Sequence, residues 1–286
     1  MTSLSPYPTV ADVMVVMDRH YPPALAEDWD AVGLVCGDPD ASVRRILVAV
    51  DPTVEVAAEA VALGADMLIT HHPLFLHGVH GVPYSTPGGQ VVSRLITAGC
   101  ALFAAHTNAD AAAPGVNDAL AAAIGVGDLR VLEPSSPQAN TGIGRVGWLP
   151  APEPLAAFAE RVARALPATH HGVRFAGPPE QLVHEVALCS GAGDSLLELA
   201  AGSGADVYVT ADLRHHRALD HLAAGGCALV DVAHWASEWP WCEWAAAALE
   251  VSLNGDAQPS TATVGVAVTV STRPTDPWTG HVRSTW

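Results

Sequence analysis

Gly64-Ala65-Asp66-Met67-Leu68-Ile69-Thr70-His71-His72-Pro73 is the stretch on which the fold turns. Met67 to Thr70 is a short apolar run bounded by turn signals, which predicts a buried strand. Thr53 to Leu63, just before it, is Ala-rich and predicts a helix that ends at Gly64. Further back, Ile46 to Val50 is β-branched and apolar, stops at Asp51-Pro52, and predicts another strand. Working downstream, Val91 to Ala98 predicts a helix and Cys100 to Ala105 a strand. Strands alternating with helices imply βαβ units and a largely parallel sheet. Residues 9–20, ahead of all this, are amphipathic and predict a helix that ends before Pro22 and Pro23.

The same pattern returns later. Gly204-Ala205-Asp206 leads to Thr210 as Gly64-Ala65-Asp66 leads to Thr70, and GCALFAAH (Gly99 to His106) resembles GCALVDVAH (Gly226 to His234). In this alignment Ala211 and Asp212 are the counterparts of His71 and His72. Further strands are expected at Val183 to Cys189, Val207 to Thr210 and Cys227 to Val232, with a helix at Ser195 to Ala201. Val264 to Ser271 reads as β-rich. The expected fold is α/β: two similar α/β lobes from an internal duplication, with a ligand site in the cleft between them at the carboxyl ends of strands. The Pro-, Ser- and Gly-rich residues 133–144 suggest the boundary. Residues 1–132 then form the first lobe, 133–253 the second, and 254–286 a C-terminal strand and tail.

Composition removes several classes of function. All 13 basic residues are arginines, against 30 acidic residues, for a net charge of −17 over 286 residues. Without lysine there is no Walker A lysine and no Schiff-base lysine. So acidic a chain repels nucleic acid and anionic membrane. The 50% hydrophobic content supports a sizeable core. No apolar run is long enough to span a bilayer, and Asp12 interrupts the first apolar stretch, against a signal peptide. The five cysteines are widely spaced, with no CxxC, and read as reduced structural thiols, Cys36 and Cys100 among them. The expectation is a cytoplasmic protein.

Histidine is abundant, at 14 residues, and is the commonest metal ligand. Three segments share one design, with metal-competent side chains just past an apolar strand. MLIT is followed by His71-His72, CALFAA by His106-Thr107-Asn108-Ala109-Asp110, and CALVDVA by His234-Trp235-Ala236-Ser237-Glu238. On a helix, His234 and Glu238 lie on one face and can share a centre. Any one of these pairs alone is more often a cap or an ordinary hydrogen-bonded pair; all three at equivalent strand ends are not. Asp110 and Glu238 can each bridge two ions. Two divalent ions outweigh two carboxylates in charge, which favours a bridging hydroxide and an anionic substrate. The mixed N/O donor set suits Zn, Mn, Fe, Co or Ni alike.

Taken together, Trp29-Asp30 with Gly33-Leu34 and Gly37, ITHHPLF (69–75), HTNAD (106–110), GIGRVG (142–147), GADVYVT (204–210) and HWASE (234–238) resemble the YbgI-like, or Nif-three-like, dinuclear-metal-centre family. Its members carry the name GTP cyclohydrolase 1 type 2 homologue. The resemblance covers most of residues 25–245 in the family's order. It implies two similar α/β lobes, a dinuclear site between them and a toroidal homohexamer. Its ligands would be His71, His72, Asp110, His234 and Glu238, with His106 beside them as a ligand or a partner of one. Ala31, Ala233 and Trp235 depart from the family's usual residues without removing a ligand. The activity implied is metal-dependent hydrolysis, with GTP ring opening as the named reaction. The alternative is a non-catalytic metal- or nucleotide-binding hexameric scaffold.

Other residues carry weaker signals. Ser190-Gly191-Ala192-Gly193-Asp194-Ser195 could cradle a phosphate, though a plain turn is the commoner reading. His215 and His216 could touch substrate or shuttle a proton, with His216 a candidate beside the metal, or form an exposed helix pair. His170-His171 reads as a loop without a catalytic role. His77 and His80 could line a cavity or be solvated. Trp235, Trp239, Trp241 and Trp244 could stack on a base but more readily pack.

Overall fold

The computed structural model describes residues 6–255 and 265–282. In chain order the elements are α1 (Val10–His20), β1 (Gly33–Cys36), β2 (Arg45–Ala49), α2 (Val54–Leu63), β3 (Met67–Thr70), α3 (Pro87–Ala98), β4 (Ala101–Ala104), α4 (Thr107–Ala111), α5 (Val116–Ile124), β5 (Gly127–Pro134), β6 (Gly142–Pro154), α6 (Leu155–Ala165), β7 (Arg174–Ala176), β8 (Leu182–Ala192), α7 (Leu197–Gly202), β9 (Val207–Ala211), α8 (His215–Ala223), β10 (Ala228–Val232), α9 (His234–Asn254) and β11 (Ala267–Val270). They divide into two units. One takes the residues up to Ala109 together with Cys242–Thr275, the other Asp110–Trp241 together with the residues after Thr275.

The first unit is built on a five-stranded sheet of order β1-β4-β3-β2-β11. Only β1 runs antiparallel to its neighbour. Strands β3 and β4 are buried along their whole length, which is why they read as continuous apolar runs rather than alternating ones. Val56, Ala57 and Ala60 of α2 and Val91 and Leu95 of α3 form one core with Leu47, Leu68 and Leu102 of the sheet. Both helices have sharp ends. The Thr53 and Thr86 hydroxyls accept from Val56 N–H and Gly89 N–H at their N-termini, and Gly64 (φ 66°) and Gly99 (φ 70°) close their C-termini in the left-handed region. Thr86 and Pro87 start α3 earlier than its apolar periodicity alone indicates.

The second unit has a six-stranded sheet of order β5-β6-β8-β9-β10-β7. Here only β8–β9 and β9–β10 are parallel. The expectation of a largely parallel sheet therefore holds for the first unit and fails for the second, because a hairpin and a short edge strand add antiparallel pairings. The hairpin is β5–β6, and residues 133–144 form its turn. Glu133 pairs with Ile143 and Pro134 with Gly142. Gly142 (φ 143°) sits so close to its partner strand that a Cβ there would meet Glu133 O at 2.1 Å. Composition of this kind marks a turn whether or not domains meet there. The two compact units meet along the chain at Ala109/Asp110 and Trp241/Cys242. Asp110 accordingly goes with the second unit, and β11 joins the first sheet beside β2.

The duplication is visible in the strand order. β1-β4-β3-β2 and β7-β10-β9-β8 are the same arrangement in the same directions, an antiparallel edge strand beside three parallel ones. The repeated Gly-Ala-Asp has one job in both copies. Asp66 accepts from Arg44 N–H and Arg45 N–H at 2.8 and 3.0 Å, and Asp206 from His184 N–H and Glu185 N–H at 2.8 and 2.9 Å. Each carboxylate satisfies backbone donors near the start of the neighbouring strand.

Candidate metal centre

In the first unit, β3 and β4 pair in parallel from Met67–Ala101 to Thr70–Ala104, so their carboxyl ends lie side by side. His71 and His72 follow β3 directly, and His106 follows β4. Ring centroids are 5.0 Å apart for His71–His72, 5.2 Å for His71–His106 and 5.5 Å for His72–His106. One ring nitrogen from each lies within 4.8 Å of the other two. Three to four imidazoles and two carboxylates were expected at one sheet edge; the fold brings His71, His72 and His106 together at the edge of the first sheet.

Each ring is held by its Nδ1. His71 Nδ1–H donates to Ala105 O at 3.0 Å, His72 to Asp51 Oδ1 at 2.7 Å, and His106 to Asp30 Oδ1 at 2.8 Å. A donor bond at Nδ1 fixes the tautomer that presents Nε2 as the coordinating atom, and a carboxylate partner makes the imidazole a better ligand. Asp51 is steadied by the Thr275 hydroxyl. Asp30 has no exposed side-chain surface. It accepts from Thr107 N–H at 3.0 Å, from Ala31 N–H at 2.7 Å and from the Thr107 hydroxyl. Burial alone would raise the Asp30 pKa, but the bonds from Thr107 and His106 outweigh it and hold the carboxyl below its ordinary value. The Trp29 ring meets His106 edge-on at 5.9 Å.

The second unit repeats the device with different residues. His234 opens α9 just after β10, and its Nδ1–H donates to Asp212 Oδ2 at 2.7 Å. Asp212 follows β9, at the position that His72 occupies after β3. His234 also holds the Asp212 carboxyl below its usual range, the hydrogen bond being the largest cause. Because α9 is helical here, Glu238 falls one turn on, with Oε1 2.9 Å from His234 Nε2, and its side chain is buried. Gly191 (φ 60°) packs against this pair; a Cβ there would stand 2.5 Å from Glu238 Oε1 and 3.1 Å from His234 Nε2. Asp110 is half-buried, with Ser190 Oγ 3.5 Å from Oδ1. The Cys189 thiol pKa is driven up by burial and then by the negative charges of Asp110 and Glu238. Imidazoles fixed at Nδ1 beside carboxylates are a donor set that fits a divalent transition metal.

The weaker candidates separate clearly. In the Ser190–Ser195 stretch three backbone donors are already engaged within the fold, which favours the plain turn over a phosphate cradle. Ser190 N–H donates to Asn117 Oδ1, Gly191 N–H to Ser237 Oγ and Gly193 N–H to Thr210 Oγ1, each at 2.9 Å. Tyr208 OH closes the loop onto Gly193 O, also at 2.9 Å. His215 and His216 are exposed on the first turn of α8, ring to ring at 5.1 Å. His171 Nε2 lies 3.1 Å from Asp231 Oδ2, a carboxylate that Arg174 also holds, while His170, His77 and His80 are exposed. Trp235 and Trp241 are buried and Trp244 is exposed. Among the described residues no helix is long and apolar enough to cross a membrane. The orienting roles of Asp30, Asp51 and Asp212 were not foreseen. Asp30 had only its place in the Trp-Asp motif to mark it, and Asp212 only its place in the repeat.

A family model for Duf34/NIF3 (NGG1p interacting factor 3) matches residues 8–275. A GTP cyclohydrolase 1 type 2 homolog of Streptomyces coelicolor is 49% identical over 280 residues, covering 97% of this chain and 96% of the relative. One from Clostridium acetobutylicum is 31% identical over 232 residues, covering 81% and 85%. The crystal structure of a Bacillus cereus protein related to NIF3 matches with a TM-score of 0.87 at 25% identity, over 96% of this chain and 100% of that one. A match of this extent, on a duplicated α/β fold with these histidines at its strand ends, places the chain in the DUF34/NIF3 family.

Proposed function

We propose that the protein is a dinuclear-metal-dependent hydrolase-like protein. Its metal ligands are His71, His72, Asp110, His234 and Glu238, with His106 as a further ligand or a partner of one. The observation that carries this reading is the fixing of His71, His72, His106 and His234 at Nδ1, three of them by carboxylates. Ordinary surface histidines have no need of such partners; metal ligands do. When bound, two divalent ions supply Lewis acidity and lower the pKa of water. The chain's own part is to hold the rings in one tautomer and to keep the Glu238 carboxylate buried against Gly191. The ions' excess positive charge suits a small anionic substrate. The name shared by the relatives makes GTP the first substrate to try, with hydrolytic opening of the guanine ring as the reaction. The working form proposed is a cytoplasmic homohexamer, bound neither to membrane nor to nucleic acid, in keeping with the charge of −17.

The test is elemental analysis of tag-free protein reconstituted with Zn, Mn, Fe, Co or Ni, alongside chromatographic assay of GTP turnover. About two ions per chain are expected, with metal and turnover lost together in Asp110→Ala and Glu238→Ala. Fewer than one ion per chain, or full turnover by metal-free variants, overturns the reading. One observation favours a second reading. The carboxylates beside the histidines, Asp30, Asp51 and Asp212, are each engaged by a ring nitrogen rather than placed as a general acid or base. Tight metal or nucleotide binding without turnover across a substrate panel would select a binding scaffold instead.

A further inference from the structure

A groove of about 540 Å³ runs between α2 and α3, on the helices and away from the strand ends that carry the histidines. Its size is that of a small-molecule cleft. Ala58, Val61 and Ala62 of α2 give it an apolar wall, Tyr84 stands at its rim with 57% of its surface exposed, and Arg94 and Thr97 of α3 line the other side.

Arg94 sets the chemistry. Its Nε is buried and has no hydrogen-bond partner among the described residues. That is unusual in a chain with 30 acidic residues and 13 arginines. Even the well-exposed Arg164, Arg174 and Arg214 hold carboxylates. Arg45 and Arg217 hold backbone carbonyls. Among the described arginines only Arg94 and the exposed Arg19 lack an acceptor. Arg94 also lines the groove, so its guanidinium is the cation that an anion seated there meets.

We propose that this groove binds a small monoanionic carboxylate with an apolar, preferably aromatic, body. The guanidinium takes the carboxylate, which matches its planar fork of donors. Ala58, Val61, Ala62 and the Tyr84 ring pack against the body. A single cation balances a monoanion, and the surrounding negative field disfavours a dianion. The site shares no residue with the histidine cluster and does not depend on the metal reading.

The test is titration calorimetry on the full chain with benzoate, with benzyl alcohol as the neutral control and phenyl phosphate as the dianionic one. Benzoate is expected to bind better than either control. Arg94→Gln should weaken it roughly tenfold or more, as expected for a charge-assisted bond. Ala62→Trp, at an exposed position in the groove wall, should weaken it too while leaving Arg94 in place. Metal content and melting temperature should be unchanged in both variants. Benzoate affinity equal in wild type and Arg94→Gln, or no binding at about 10 mM, overturns the proposal. So does a change of oligomeric state in Arg94→Gln, which would make the groove a contact between copies of the chain.

Discussion

Asp212 Oδ2 lies 2.7 Å from Nδ1 of His234, and Asp212 reaches it from a left-handed backbone, φ 55°. A non-glycine residue held there costs on the order of 1–3 kcal/mol, and it is kept where the neighbouring His234 must be aimed. Substitution separates the two effects. Asp212→Gly relieves the backbone, whereas Asp212→Ala keeps the strain. Both lose the carboxylate. Asp212→Gly should therefore be about 1 kcal/mol more stable than Asp212→Ala, while both bind metal about 10–100-fold more weakly than wild type. Denaturant melts and competitive metal titration check the two halves. Wild-type metal affinity in Asp212→Ala would reduce the contact to a structural one.

Gly191 is tested by one methyl group. A Cβ at this position would press on Glu238 Oε1 and His234 Nε2, and φ 60° strains any L side chain. Glu238 is buried and has little room to give way. Gly191→Ala should cost about 1–3 kcal/mol and displace the Glu238 carboxylate. A drop in metal stoichiometry with the far-ultraviolet circular dichroism unchanged is the expected result, read by elemental analysis of the purified variant.

The residues that proved legible in sequence are those whose signal is local. Met67 to Thr70 and the histidines after it announce themselves because a buried parallel strand is a run of apolar residues with an abrupt polar end. His234 and Glu238 are legible because helix spacing is fixed. Asp30, Asp51 and Asp212 are not, because each meets its histidine across 21 to 76 residues of chain. No periodicity encodes a contact of that kind. Residues 133–144 are ambiguous in sequence for a related reason: they have the composition of a linker, and a hairpin turn has that composition too. The extra hairpin of the second unit hid behind it, and with it the antiparallel part of that sheet.

Tyr208 bears on the loop that resembled a phosphate cradle. Its buried hydroxyl donates to Gly193 O at 2.9 Å, and a Cβ on Gly193 would come within 2.3 Å of it. Tyr208→Phe removes that bond, together with the hydroxyl's interactions with Thr210 and Cys189, and leaves a buried carbonyl with one partner fewer. The expected loss is about 1–2 kcal/mol of stability. GTP affinity, measured by equilibrium dialysis at saturating metal, should not move. A fall in nucleotide affinity without a loss of stability would return the loop to the binding site.

Asp30 gives the first unit an acid-sensitive hinge pin for His106. Its folded pKa lies below the unfolded value of about 3.9. As pH falls, the unfolded chain therefore takes up the proton first. The stabilisation is complete above about pH 5, starts to fall as pH approaches the unfolded value, and is lost once pH has dropped through the depressed folded value. Asp30→Asn keeps the shape but cannot ionise, so its contribution does not change with pH. At pH 7 the variant should be less stable by about 1–3 kcal/mol, as for a covered, charge-assisted hydrogen-bond hub. The gap between wild type and Asp30→Asn should then narrow as pH is lowered from 5 towards 3. Denaturant unfolding of metal-free protein at several pH values measures that gap directly, and other carboxylates cancel because they are common to both proteins. A gap that stays constant across the range would mean that Asp30 orients His106 without its charge contributing. A gap that closes while metal affinity at pH 7 is lowered in Asp30→Asn would tie the same carboxylate to both the fold and the ligand.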